Sequence, residues 1–322
     1  MRTITLEEHY VTPGFMKGPG RAFMARVTRD GLRPQLPALL QDVGEKRIAE
    51  MDAAGIDVQV LSLNAPGVEQ LDPGEAIALA REANDFAATA VRDHSHRLAA
   101  FATVPTPAPE AAADELERTV RDHGFKGALI NGHVRGRYLD DKFFWPIFQR
   151  AESLDVPIYL HPTQPPQAVV EAYYGGFDPA VSHVFAIAGW GWHIETAVHV
   201  LRIILGGVFD HYPKLQLVIG HLGEVLPFML PRVDIMSPGM TKLARPISAY
   251  LRHNVHYTFS GFNFPATFLN LLLEVGVDRI MFSADYPYAS MARARAFLDD
   301  IPVSPADREK IAHRNAERLL GL

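Results

Sequence analysis

Eight times along the chain a short β-rich run is followed by a longer stretch of helical periodicity, and this alternation constrains the fold more than any other feature. The β-rich runs fall at about 2–7, 57–62, 97–102, 126–130, 156–160, 215–220, 253–258 and 279–283. The helical patterns fall at 43–54, 74–93, 108–122, 142–153, 194–207, 224–235, 265–275 and 289–299. Strands that alternate with helices pair in parallel through right-handed crossovers. Eight such units fit a closed (β/α)8 TIM barrel better than an open sheet, and 322 residues suit one such domain over 1–322. Pro73 and Pro109 stand where helices should begin, and Gly55, Gly124 and Gly276 where they should stop. Two long connections, 11–41 and 162–194, follow the first and fifth strands and therefore lie on the face that carries chemistry in barrels. The second is rich in Gly, Pro and aromatic residues, which suits a substrate lid or a subunit contact. The tail from Ser304 to Leu322 reads as closing helices.

Composition narrows the function. The net charge is −6 and no Lys/Arg run forms a basic patch, so nucleic acid is not an expected partner. The chain has no cysteine, which excludes disulfides, thiolate metal ligands and cysteine nucleophiles. The opening MRTITLEEH is not expected to be a signal peptide, because two acids follow too short an apolar run. The long apolar stretch Val184–Phe209 is interrupted by His193, Glu195, His199 and Arg202, too polar for a bilayer. A cytoplasmic protein without membrane contact is expected.

The strand ends carry the chemistry. The first ends in Glu7-Glu8-His9. Alternate residues of an extended chain face one way, so Glu7 and His9 can both face the mouth while Glu8 faces out. A carboxylate and an imidazole two apart form a chelating pair for zinc or manganese, although alone this tripeptide is equally a charged strand end. The fifth strand ends in His161-Pro162, and the eighth in Asp285-Tyr286-Pro287, where the Asp could instead begin an Asx turn. The sixth ends in Gly220-His221-Leu222-Gly223-Glu224. Its glycines allow a sharp turn, and Glu224 either favours a helix N-terminus or holds His221 in one tautomer. Ligand-type residues at four strand ends on one face are the physical case for a metal centre of Glu7, His9, His161 and Asp285. The fourth strand ends in Asn131 with no lysine at the mouth, so one divalent ion, Zn2+ or Mn2+, is expected rather than two.

With these residues the sequence resembles the amidohydrolase superfamily, and most of all its non-oxidative aromatic decarboxylases. The matching segments include LEEH (6–9), VLSLNAPGV (60–68), GFKGALING (124–132), LDVPIYLHP (154–162), ETAVHVLRIILGGVFDHYPKLQLVIGHLGE (195–224) and DRIMFSADYP (278–287). The resemblance implies an amidohydrolase-like barrel with Glu7, His9, His161 and Asp285 as metal ligands and His221 and Glu224 as catalytic partners beside them. It also implies that Arg47 meets a substrate carboxylate, that Arg232 reaches a neighbouring subunit's site, and that Phe23 and Asn64 belong to the pocket wall. Arg47 and Arg232 read equally as solvated helix arginines. The chain departs from the family at HPTQPP (161–166), at Ala289, at 132–142 and at 174–193, all at the pocket rim.

The expected activity is decarboxylation of an ortho-hydroxybenzoate in aromatic-compound catabolism. Asp285 would protonate the ring carbon that bears the carboxylate, in a homodimer or homotetramer, with no organic cofactor. The rival is a metal-dependent hydrolase or hydratase of a lactone, an oxo-acid or a C–C bond. In that case Asp285 would take a proton from water. A non-catalytic barrel is the third reading, disfavoured because every ligand-type residue is present.

Overall fold

The computed structural model describes residues 1–22, 25 and 33–322. Among these residues nine strand segments, all paired in parallel, form eight staves. They are β1 (Ile4–Tyr10), β2 (Val58–Leu63), β3 (Leu98–Ala100), β4 (Ala102–Thr103), β5 (Ala128–Asn131), β6 (Ile158–His161), β7 (Leu217–Ile219), β8 (Val255–Thr258) and β9 (Ile280–Met281). The segments run β1-β2-β3 and β4 through β9 in sequence order. β3 and β4 are one stave interrupted at Phe101. The Phe101 amide still donates to Leu61 O at 2.9 Å, and that of Ala102 to Gly127 O at 2.8 Å. The ring closes where Leu6 N donates to Phe282 O at 3.3 Å and His9 N to Tyr286 O at 2.7 Å. The (β/α)8 barrel expected from the alternation is therefore present.

Helices cover the outside, among them Glu45–Ala54, Pro73–Asp93, Pro109–His123, Trp145–Ser153, Gly191–Leu205, Leu226–Val233, Pro265–Val275 and Met291–Asp300. Gly55 and Gly124 end their helices in the left-handed conformation, at φ 70° and 69°, as the sequence predicts. None of the described helices is long and apolar enough to cross a membrane.

The core has two layers. Ile4, Leu6, Val58, Val60, Ala99, Phe101, Leu129, Tyr159, Val218 and Met281 fill the barrel interior, with Ala316 and Leu320 from the closing helices beneath them. A larger layer, including Leu61, Leu63, Ile130, Leu160, Ile219 and Tyr257, lies between staves and helices. The closing segment is fastened by Asn315, whose Nδ2 donates to Val277 O and Ile280 O at 2.9 and 2.8 Å.

One irregularity in β1 decides what the barrel can do. Thr5 pairs with Gln59 and Glu8 with Leu61, so β1 spends three residues where β2 spends two. This is a bulge, and Glu7 takes the left-handed conformation inside it, at φ 67°. Ile4 and Leu6 face the interior. Plain alternation would then turn Glu7 and His9 toward the helices and Glu8 inward. The extra residue reverses the sense, so that Glu7 and His9 both face the mouth.

Candidate metal centre

Four candidate donors from three staves, Glu7 and His9 on β1, His161 on β6 and Asp285 after β9, gather at the C-terminal mouth. His161 Nε2 lies 3.3 Å from Glu7 Oε1, and His9 Nε2 lies 3.2 Å from Asp285 Oδ1. The rings of His9 and His161 are 4.9 Å apart, edge to face. Glu7, His9 and His161 are buried, and one ligand atom from each lies within 4.8 Å of the others. Donors each about 2.1 Å from one cation sit about 3.0–3.4 Å from one another, so the 3.2 and 3.3 Å spacings fit a shared ion. Glu7 Oε1 supplies a second observation. It is buried and has no hydrogen-bond partner among the described residues, although its carboxylate is otherwise tightly held. Its Oε2 accepts from the Tyr159 hydroxyl and, at 2.5 Å, from Ser260 Oγ. A carboxylate fixed by one oxygen and left open by the other is what a cation ligand requires.

The backbone at the mouth is unusual. Ten described non-glycine residues have positive φ, and seven of them are Glu7, His221, Leu222, Glu224, Val225, Ser260 and Asp285. Backbone held in sparsely populated conformations concentrates at functional sites. The turn after β7 is left-handed from His221 through Val225, with Gly223 at φ 95°. Gly220 serves another end than the freedom to turn, because it is extended and needed for space. A Cβ there would meet Glu7 Oε2 at 2.6 Å and Ser260 Oγ at 2.9 Å.

Glu224 does not begin a helix. It lies ahead of the helix Leu226–Val233 at φ 51°, so its expected alternative role at a helix N-terminus is overturned. Its two oxygens instead lie 2.6 Å from His221 Nδ1 and 2.6 Å from His193 Nδ1. His193 was not expected from the sequence; its signal was one imidazole in an apolar run, after Gly191 and Trp192. These three residues also bring ligand-type atoms together. They satisfy one another by hydrogen bonds, however, and leave no open donor set for a second ion.

Electrostatics follow from burial and neighbours. Burial opposes charge on Glu7, but His221, His161 and His9 outweigh it and hold the carboxyl well below its ordinary range. Burial and then the Glu7 charge push Asp285 well above its ordinary value, against a smaller pull from His221. Burial lowers His221, yet Glu224 and Glu7 prevail and raise it to about 10. Glu224 is lowered, the attraction of His221 and His193 exceeding burial. A bound cation adds positive charge that opposes protonation of Glu7 and Asp285.

Aromatic rings wall the mouth. Trp192 lies 6.5 Å from His161, Phe262 5.1 Å from His221 and Tyr288 5.5 Å from His9. Asn64 is buried there and accepts from the Tyr288 hydroxyl at 2.6 Å. An adjoining groove of about 670 Å³ is bordered by Arg33, Gly261, Asn263, Tyr288 and Ala289.

The remaining expectations divide. Glu8 does face away from the mouth, but into protein rather than solvent. It accepts from Ala284 N at 2.9 Å and Tyr286 N at 3.0 Å, fastening the Asp285 loop to β1. Arg47 is fully buried, which corrects its alternative reading as a solvated helix arginine, and its guanidinium is engaged by protein groups. Its Nη2 donates to His9 O at 2.6 Å, its Nε donates to Asp42 O at 2.7 Å, and its guanidinium stacks 4.8 Å from the Tyr286 ring. Arg232 is exposed in the last turn of Leu226–Val233. Phe23 lies outside the described residues.

Comparison with known proteins agrees with the geometry. The chain is 37% identical over 332 aligned residues to γ-resorcylate decarboxylase of Polaromonas sp. (strain JS666), covering 99% of this chain and 98% of that protein. A crystal structure of 2,6-dihydroxybenzoate decarboxylase complexed with 2,6-dihydroxybenzoate superposes with a TM-score of 0.89 at 36% identity, covering 100% of both chains. A dihydroxybenzoic acid decarboxylase from Polaromonas, solved with bound manganese and the inhibitor 2-nitroresorcinol, gives 0.90 at 36% identity, covering 100% of this chain and 97% of that one. The amidohydrolase family pattern matches residues 40–322, and the chain belongs to that family.

Proposed function

We propose that this protein catalyses metal-dependent, non-oxidative decarboxylation of an ortho-hydroxybenzoate-type aromatic acid. One observation carries the reading. The mouth keeps Glu7, His9, His161 and Asp285 together in a chain that matches γ-resorcylate decarboxylase over 99% of its length. Those four residues would hold one divalent cation, manganese or zinc. When bound, the cation supplies Lewis acidity and a template for the substrate's oxygens.

The chain's own residues account for the rest. The flat ring enters between Trp192, Phe262 and Tyr288, whose faces and edges favour aromatic contact. Asp285, whose carboxyl stands at the mouth 3.2 Å from His9 Nε2, delivers a proton to the ring carbon that bears the carboxylate. The ring–carboxylate bond then breaks, carbon dioxide leaves, and the bonding pair restores the aromatic system. Net, one aromatic carboxylate and one proton give one arene and one carbon dioxide. His221, held on Nδ1 by Glu224, turns Nε2 toward Glu7 at 3.8 Å and faces the reacting ring with a charged donor. Self-association is part of the reading. Phe228 and Leu273 are 78% and 83% exposed on the packed helices Leu226–Val233 and Pro265–Val275, beside Arg232. That patch supports a homodimer or homotetramer in which Arg232 approaches the neighbouring mouth.

The test is carbon dioxide release from a panel of hydroxybenzoates, 2,6-dihydroxybenzoate first, by protein loaded with Mn2+ or Zn2+. Release with any ortho-hydroxybenzoate supports the reading. Lactone or oxo-acid hydrolysis without decarboxylation overturns it.

A further inference from the structure

His193 begins the helix Gly191–Leu205 and lies 31 residues before Glu224, yet the two are 2.6 Å apart in the interior. The Glu224 carboxylate is fully buried between two imidazoles whose rings are 4.7 Å apart. An ionised carboxylate only accepts hydrogen bonds, so His193 and His221 both carry a proton on Nδ1. The other nitrogen of each ring then has a defined task. His193 Nε2 lies 3.1 Å from Trp192 Nε1, and an indole N–H can only donate, so His193 Nε2 is an acceptor. The Ala188 carbonyl, 3.3 Å from the same nitrogen, would need a proton there that the indole excludes. Phe262 packs 5.1 Å from each imidazole ring and closes the unit off.

We propose that His193 is a positioning residue of the mouth. It clamps Glu224 from the side opposite His221, so that His221 keeps its proton on Nδ1 and aims Nε2 at the reacting atoms. It also pins the Trp192 indole as a wall for the substrate ring. The inference rests on the decarboxylase reading above and names a residue which that reading does not use. A histidine that merely filled space would be replaced by any ring of similar volume. A clamp requires a donor at the Nδ1 position.

Two variants separate these cases. His193→Phe keeps the ring and removes the donor, whereas His193→Asn keeps an N–H close to the Nδ1 position and removes the Nε2 acceptor. In metal-loaded enzyme, His193→Phe is expected to lose roughly tenfold or more in kcat, the usual scale for a residue that orients a functional group. His193→Asn is expected to recover most of kcat and keep a raised KM, because Trp192 is no longer pinned. Nitrogen-15 spectra of histidine-labelled protein give a readout that needs no substrate. The wild type should show far-downfield Nδ1–H resonances assigned to His193 and His221, and His193→Phe only that of His221 from this pair. Unchanged kcat in His193→Phe, an equal kcat loss in both variants, or a wild-type His193 protonated on Nε2 would each overturn the proposal. If the wild type turns over no hydroxybenzoate, the decarboxylase reading fails, while the resonances still decide whether the clamp exists.

Discussion

Replacing Tyr159 by Phe removes one oxygen and tests how the barrel interior holds its cation. Tyr159 is fully buried, and its hydroxyl touches Glu7 Oε2, Thr258 Oγ1 at 2.6 Å and Ser260 Oγ at 3.2 Å. Without that hydroxyl, Glu7 keeps only Ser260 on its inner oxygen. A hydrogen bond to a charged group is worth about 1.5–3 kcal/mol, and part of that is expected to reappear as poorer orientation of Glu7 Oε1. Removing a partner that orients a metal ligand typically weakens metal binding about 10–100-fold, or about 1.4–2.8 kcal/mol. The metal-free fold should change much less. The Phe ring still packs on Phe101, now 5.7 Å from Tyr159, and Thr258 keeps its 2.8 Å contact to Ser260. The assay is Mn2+ titration against a competing chelator, with urea unfolding of the metal-free proteins as control. A variant that binds Mn2+ as tightly as the wild type would refute the argument that Tyr159 orients Glu7.

Asp285→Asn should abolish decarboxylation without lowering the Tm of the metal-free protein, because it removes a carboxyl that burial and Glu7 both disfavour as an anion; retained turnover would remove Asp285 from the mechanism. Stripping metal with a chelator should silence the enzyme, and Mn2+ or Zn2+ should restore it; activity that survives complete stripping contradicts the cation's role. His256 is buried beside Arg279, and burial first, then that charge, lower it from 6.5 to about 3. The unfolded chain therefore takes up a proton that the folded one refuses between those values, and the stability contributed by neutral His256 is lost as pH falls from 6.5. Glu8 and Glu69, both raised to about 7 by burial, act in the opposite sense over part of the window, so a difference measurement is needed. Between pH 7 and 5, His256→Gln should lose about 2 kcal/mol less stability than wild type by urea unfolding; parallel pH profiles would show that His256 is not kept neutral.

The stave-and-helix alternation was legible because it is written in local periodicity. Glycine and proline marked helix ends at Gly55, Gly124, Pro73 and Pro109. The donors Glu7, His9, His161 and Asp285 were legible because ligand-type residues at the ends of apolar strands are conspicuous. What escaped depended on tertiary partners. Arg47 looks like a surface helix arginine, because backbone carbonyls that accept its protons leave no trace in composition. Glu224 reads from the sequence either as a helix starter or as the partner of His221, and only the first reading fails, because nothing local announces five successive left-handed residues. His193 stands in an apolar run just ahead of the helical pattern at 194–207, and its partner 31 residues on is brought near only by barrel closure. The interruption of the third stave at Phe101 likewise has no local mark.

The bulge in β1 carries a lesson about counting. Between Thr5 and Glu8 the chain has one residue more than β2 requires, and that surplus turns two donors into the cavity. The same residues paired with β2 without the bulge, inside the same barrel, would show Glu8 to the mouth and send Glu7 and His9 into the packing against the helices. Reactivity depends on where one residue is looped out as much as on side-chain chemistry, and a one-residue slip of register would extinguish it while leaving the architecture standing.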